Sequence, residues 1–454
     1  MHPTPVNNAM SLSAWMRIGQ PLEPLLDDYQ RCFDAWEEGG VRGLVVGRLL
    51  FADADGQFTV PAFEGKPEAY RMRGMQPGQS RATDAGKADQ LQRLFDEAKK
   101  RGLATMIFCP GQGTTTTQTP TVEQDPYGAH YMAAVWDEVF SAFPQVEGGI
   151  VDGWTESSYE LVFHHGNAVF RSLAQPELEQ AAARGWDTAR LQRGLAHLEQ
   201  RFHNFSPAQV DYYGHYGLLQ GLNLFDINED ALYWLRWRRQ DGLDEAKAAR
   251  AELDKLSRPL LLGNGLRSAV FSGMTGMDFC AWNEVLDFLL VKHYFWHRGF
   301  DGLYGTLARW VKQLCTWNPT LSEAQCFAVA KAWLGIELPE VTSLADMDLG
   351  FPPAFFAEVA HSETRRAIAA SSPEKVLPWV DTGRMPHGGD PMTAGDLQRI
   401  LSASQRAGLQ HFLFHNHGHL TAAEWRVISR LCGREWDEDP SGYWPPSTPR
   451  PETF

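Results

Sequence analysis

The chain has 454 residues, 43% of them hydrophobic and 21% charged, a globular composition that excludes a mostly disordered protein. Its 41 basic and 56 acidic residues leave a net charge of −15. That balance disfavours nucleic acid and anionic membrane surfaces, whose binding rests on clustered Lys and Arg. No apolar run approaches the length of a bilayer span. The N-terminus lacks the basic start and apolar stretch of a secretory signal, and the six cysteines are scattered without a CxxC pair. These features predict a cytoplasmic protein with free thiols.

Short apolar strands alternate with amphipathic helices, the pattern of a parallel sheet with crossover helices. The first strand is expected at Leu12–Ile18, followed by a helix from Pro24 to Glu38. Val41–Phe51 reads as a second strand, and a helix at Ala85–Arg101 leads to a third, Leu103–Cys109. A helix at Tyr131–Phe143 precedes the fourth, Gly148–Asp152. The rhythm then breaks: residues 160–256 are helical and aromatic without a clear strand, as for a helical insertion. It resumes with strands at Pro259–Leu266, Phe288–Trp296, Val376–Val380 and His411–Asn416. Helices are expected at Thr306–Cys315, Ser322–Leu334, Pro353–Ala370, Ala394–Ala407 and Ala422–Leu431. Eight such strands predict an α/β fold, a (β/α)8 TIM barrel over residues 1–434 with the helical insertion after strand four and a tail at 435–454.

In such a barrel the reactive groups stand at the C-terminal strand ends. Those ends are rich in Asp, Arg, His and Trp, which packing does not require. Asp152 closes the apolar run Gly149-Ile150-Val151, with Glu156 on the same loop. Asp381 likewise follows an apolar strand, while Asp278 and Asp301 are further carboxylates near strand ends. Splitting a glycosidic bond needs two carboxyl groups, one ionised and one protonated. Asp152 is expected as nucleophile or base, with Glu156 or Asp381 as the acid. The segment from Lys292 to Arg298 combines cations with rings. Strand alternation places Lys292, Tyr294 and Trp296 on one face and His293 and Phe295 on the other. Trp154, Trp296 and Tyr294 are suited to stack on or flank sugar rings, and the 16 tryptophans lean the same way. Arg17, Lys292, Arg384, His415 and Asn416 offer hydrogen bonds to hydroxyls, with Asp278 and His293 as further binding candidates.

His415, His417 and His419 form an HxHxH run that could ligate a metal, with His164, His165 and His387 as further imidazoles. No familiar zinc spacing appears, and dinucleotide, P-loop and nucleophile-elbow signatures are missing.

Gly149-Ile150-Val151-Asp152-Gly153 together with Lys292-His293-Tyr294 resembles the (β/α)8-barrel glycoside hydrolases, of amylase type or of uncharacterised hydrolase-like families. The resemblance implies a strand-four nucleophile, here Asp152. Ile150 stands where that group has an Arg two residues before the nucleophile, and strand five ends without a Glu, so the acid stays open. The resulting expectation is hydrolysis of an oligosaccharide or glycoside, with a carbohydrate partner and no cofactor, bound metal, nucleic acid or membrane. The oligomeric state is open, a homo-oligomer included. The alternatives are a metal-dependent hydrolase built on the histidines and a barrel that binds sugar without turnover.

Overall fold

A computed structural model describes residues 12–78, 81–110, 120–121, 123–152, 154, 159–162, 166–215, 217–295, 301–383 and 392–451. Its strands, in chain order, are β1 (Ser13–Ile18), β2 (Val41–Val46), β3 (Leu50–Ala52), β4 (Phe58–Pro61), β5 (Ala104–Phe108), β6 (Gly148–Asp152), β7 (Leu261–Leu266), β8 (Phe288–His293), β9 (Trp379–Val380) and β10 (His411–Phe414). Eight of them, all but β3 and β4, run parallel and close into a barrel. Each pairs with its sequence neighbour in that set, and β1 pairs with β10 to complete the ring. Strands β3 and β4 form a separate antiparallel hairpin.

That hairpin is a departure from the sequence expectation, which ran a single strand on to Phe51. The break falls at Gly47, which adopts φ +140° and lies where a Cβ would meet the Phe108 carbonyl oxygen at 2.8 Å. Only glycine fits that conformation and that approach, so the apolar run Leu49-Leu50-Phe51 belongs to a new element.

Alternation along the strands sorts side chains into two layers. Trp15, Val45, Met106, Phe108, Ile150, Leu290, Leu377, Trp379 and Leu413 belong to one buried cluster, which fills the barrel. Met16, Leu44, Val46, Ile107, Leu262, Leu289, Val291, Val380 and Phe412 belong to a second, between barrel and helices. Strand register keeps the sorting consistent: Asp152 pairs with Gly265, Lys292 with Trp379, and Leu413 with both Trp15 and Trp379.

Between β6 and β7 the described chain contains five helices: Gln175–Ala183, Thr188–Phe202, Pro207–Tyr213, Leu218–Leu224 and Glu229–Leu253. Their starts follow ordinary capping chemistry. Asp187, Ser206 and Asn228 each accept a hydrogen bond from a backbone N–H of the first turn. Phe202, Phe205, Phe225 and Trp234 join the same apolar cluster as the barrel interior. After β8, the helix Leu303–Trp317 supplies Trp310 to that cluster. No helix among the described residues is long and apolar enough to cross a membrane.

Candidate active site

The inward positions change from apolar to polar at the C-terminal ends of the strands. Arg17, Asp152, Lys292, Tyr294, Asp381 and His415 continue the interior faces of β1, β6, β8, β9 and β10. Trp379 and Phe108 form an apolar floor, their rings 5.3 Å apart edge to face.

Two charged groups organise this mouth. In the first, Lys292 Nζ lies 3.2 Å from Asp152 Oδ1 and 3.9 Å from Asp301 Oδ2. Asp301 also meets Arg267 Nη1 at 2.6 Å and accepts a hydrogen bond of 2.6 Å from the Tyr159 hydroxyl. Tyr159 is fixed in turn: its carbonyl accepts from Trp310 Nε1 at 2.9 Å, and the Arg267 guanidinium lies 4.5 Å from its ring centre. Beside it the buried Glu160 pairs with Arg309 at 2.9 Å. Burial raises the Glu160 carboxyl above its usual range, although Arg309 opposes that rise.

In the second group, Asp381 Oδ2 lies 2.7 Å from His415 Nδ1. Its Oδ1 accepts from the backbone N–H groups of Thr382 and Gly383 at 2.5 and 3.2 Å. Two backbone donors and the facing imidazole thus surround this carboxylate. Tyr294 stands between the two groups, its ring 5.7 Å from that of His415. Burial lifts its phenol well above the ordinary value, and the charges of Asp381, Asp301 and Asp152 push the same way. The hydroxyl therefore stays protonated. Cys109, after β5, also faces Asp152; burial and that charge raise its thiol to about 11. It is a thiol at neutral pH, not a nucleophilic thiolate.

The sequence candidates separate clearly. Asp152, Asp381, Arg17, Lys292, Tyr294, His415 and Asn416 come together around the mouth. His293 does not: as the outward neighbour of Lys292 it is fully buried, and its Nε2 lies 2.9 Å from Thr364 Oγ1 on the helix His361–Ala370. Burial lowers its imidazole to about 3. Asp278 caps the short helix Phe279–Trp282 and pairs with Arg239 at 2.5 Å. Trp154 packs on Trp282 with ring centres 5.5 Å apart, in the layer between barrel and helices, instead of over the mouth. Glu156, Trp296 and Arg384 lie outside the described residues, as do His164, His165 and His387.

The three histidines of the HxHxH run diverge. His415 faces Asp381, whereas His417 is buried with its ring 5.1 Å from Trp36 and its imidazole lowered to about 4 by burial. His417–His419 form a tight 3-10 turn, which breaks strand alternation. Among the described residues no three His, Cys, Asp or Glu side chains gather as a metal-ligand set. Arg267 and Tyr159 are the site members that sequence reasoning left without a role, and Asp301, expected only as a possible partner carboxylate for Asp152, joins them in an ion-pair cluster. Each stands just beyond an apolar strand or in the following loop, but only the fold shows that they converge.

No family model matches the chain, and no curated protein matches its sequence. The solved structures that resemble it include glycoside hydrolases. The PgaB (BpsB) glycoside hydrolase domain from Bordetella bronchiseptica is 11% identical, the match covering 94% of this chain and 100% of that one, with a TM-score of 0.46. A GH18 chitinase from Pseudoalteromonas aurantia is 10% identical over 92% of this chain and 99% of its own, with a TM-score of 0.39. For a β-galactosidase from the psychrophilic Marinomonas ef1 the figures are 12%, 93%, 59% and 0.43. At that distance the chain's chemistry has to be read from its own side chains.

Proposed function

We propose that the barrel mouth hydrolyses a glycosidic bond in an oligosaccharide or glycoside. The observation that carries this reading is the pair of carboxylates, Asp152 and Asp381, delivered by the inward faces of β6 and β9 over an aromatic floor, with the Tyr294 hydroxyl in the field of both. Asp152, 3.2 Å from Lys292 Nζ, is placed to act at the anomeric carbon as nucleophile or as the base for water. Asp381 is already committed to two backbone N–H groups and faces His415. Its role is to orient His415 through Nδ1. His415 then passes its proton through Nε2 to the departing oxygen, so the acid role expected of Asp381 moves one residue outward. Lys292, Tyr294 and Arg17 bind and orient sugar hydroxyls, and Trp379 offers an apolar wall.

The test is a panel of aryl glycosides and oligosaccharides assayed with the wild type, Asp152→Asn and His415→Gln. Turnover that falls about 10³-fold in Asp152→Asn, with an unchanged melting temperature, supports the reading. Turnover that survives the substitution sinks it. Saturable sugar binding with no turnover in the wild type points to a binding barrel instead.

A further inference from the structure

At one side of the mouth three neighbouring strands, β10, β1 and β2, end in N–H donors without an acceptor. Arg17 closes β1. Its guanidinium lies 4.5 Å from the centre of the Phe108 ring and 5.7 Å from that of Trp379. It makes no hydrogen bond and no ion pair within 4.0 Å with any described residue, and its Nε is buried without a partner. Burial lowers the guanidinium from its usual value. The charge of Arg48 adds to that, while Tyr294, Asp152 and Cys109 oppose it. Arg48, just past β2, is exposed and likewise has no carboxylate partner among the described residues. The third donor is Asn416 after β10. Its Oδ1 accepts from the Gly418 N–H at 3.0 Å, which leaves Nδ2 as a donor. Arg17 and Asn416 meet over Gly19: a Cβ built there would lie 3.2 Å from Arg17 Nη1 and 3.4 Å from Asn416 Nδ2.

A desolvated guanidinium without a counter-charge, with a second cation acting on it, is costly unless something anionic shares the space. Elsewhere in the mouth each cation has its carboxylate: Lys292 has Asp152, and Arg267 has Asp301. We propose that Arg17, Arg48 and Asn416 form a subsite for an anionic substituent of the sugar, a carboxylate or a sulfate ester, so that the barrel takes acidic saccharides. A guanidinium that presents two parallel N–H groups matches either oxyanion. Phe108 and Trp379 shield the contact from water.

This inference rests on the glycoside reading of the same mouth, so the test measures binding, which can succeed or fail apart from turnover. Isothermal titration at low ionic strength would compare sodium D-glucuronate, D-glucose 6-sulfate and D-glucose on the wild type, Arg17→Gln, Arg48→Gln and Arg48→Lys. At least one acidic sugar is expected to bind about tenfold or more tighter than glucose. The preference should weaken with added salt, shrink towards unity in both Gln variants and persist in Arg48→Lys. Whichever acidic sugar wins names the oxyanion. Equal binding of acidic and neutral sugars, a preference untouched in both Gln variants, or no binding of any of the three sugars would overturn it. Arg48 is exposed, so its variants report even if Arg17→Gln fails to fold. If the charge preference holds while Asp152→Asn leaves turnover unchanged, the subsite stands and the catalytic assignment falls.

Discussion

Asp152 has room in the mouth because its register partner in the sheet is Gly265. A Cβ at that position would lie 2.7 Å from Asp152 Oδ1 and 3.5 Å from the Trp379 ring. Gly265→Ala should push the carboxylate away from Lys292 while leaving the barrel folded. On the proposed mechanism its kcat falls by about 10²-fold, since displacing a reacting group by an ångström costs that much. A melting temperature that drops steeply instead would show that the residue serves packing, not the carboxylate. Tyr159 offers a second residue-scale test. Tyr159→Phe removes the hydrogen bond to Asp301 inside a buried charge cluster and should cost about 1–3 kcal/mol in a denaturant titration. A change near zero would mean that the ion pairs of Asp301 hold it without the phenol. The two carboxylates Asp152 and Asp381 were legible in the sequence because each ends an apolar strand. His293 and Trp154 also stand at strand ends, yet neither reaches the mouth. Position past a strand does not tell which way a side chain turns; the outward register of His293 and the packing of Trp154 on Trp282 decide that.

The long helix Glu229–Leu253 carries half-buried charge where it meets Arg184. Glu245 on this helix is raised to about 7 by burial, with Arg184 opposing the rise and Asp241 and Asp125 reinforcing it. Its folded-state value lies above the unfolded one, so its contribution is present below about pH 4.5 and is lost as pH rises through about 7. A tenfold difference in proton affinity between folded and unfolded chains is worth about 1.4 kcal/mol. Glu245→Gln should therefore flatten the fall in stability between those pH values and raise the melting temperature at pH 8; an unchanged pH profile would contradict the assignment. His293 and His417 act in the opposite direction. Both are lowered by burial, to about 3 and about 4, so stability present above about pH 6.5 is lost as the medium is acidified. His417→Gln should reduce that acid sensitivity in melts taken from pH 7 down to pH 4. At this scale the strand and helix rhythm was readable because buried parallel strands are continuous apolar runs. The β3–β4 hairpin was not, since only Gly47 and Arg48 separate its apolar residues from those of β2. Only the backbone geometry at Gly47 separates them.

The whole molecule is strongly anionic, yet the mouth gathers Arg17, Arg48, Arg267 and Lys292. The net charge of −15 was visible in composition, whereas this local gathering of cations, two of them paired with Asp152 and Asp301, depends on strands far apart in sequence. An acidic ligand would meet long-range repulsion before short-range attraction. Its association rate should thus rise when moderate salt screens the outer charges, even as its affinity falls. A stopped-flow series over salt would read both, and an association rate that only declines would mean that the local patch dominates at all distances. Closure of the ring has a further consequence. Ser13 pairs with His411, so the seam between β1 and β10 joins segments 398 residues apart. At a synthesis rate of roughly 5–20 residues per second, a nascent chain carries the bare edge of β1 for tens of seconds before its partner exists. An unpaired strand edge is a template for self-association. The vulnerable stage in this protein's life is therefore its birth, when seven strands wait for the eighth and a chaperone has the most to protect.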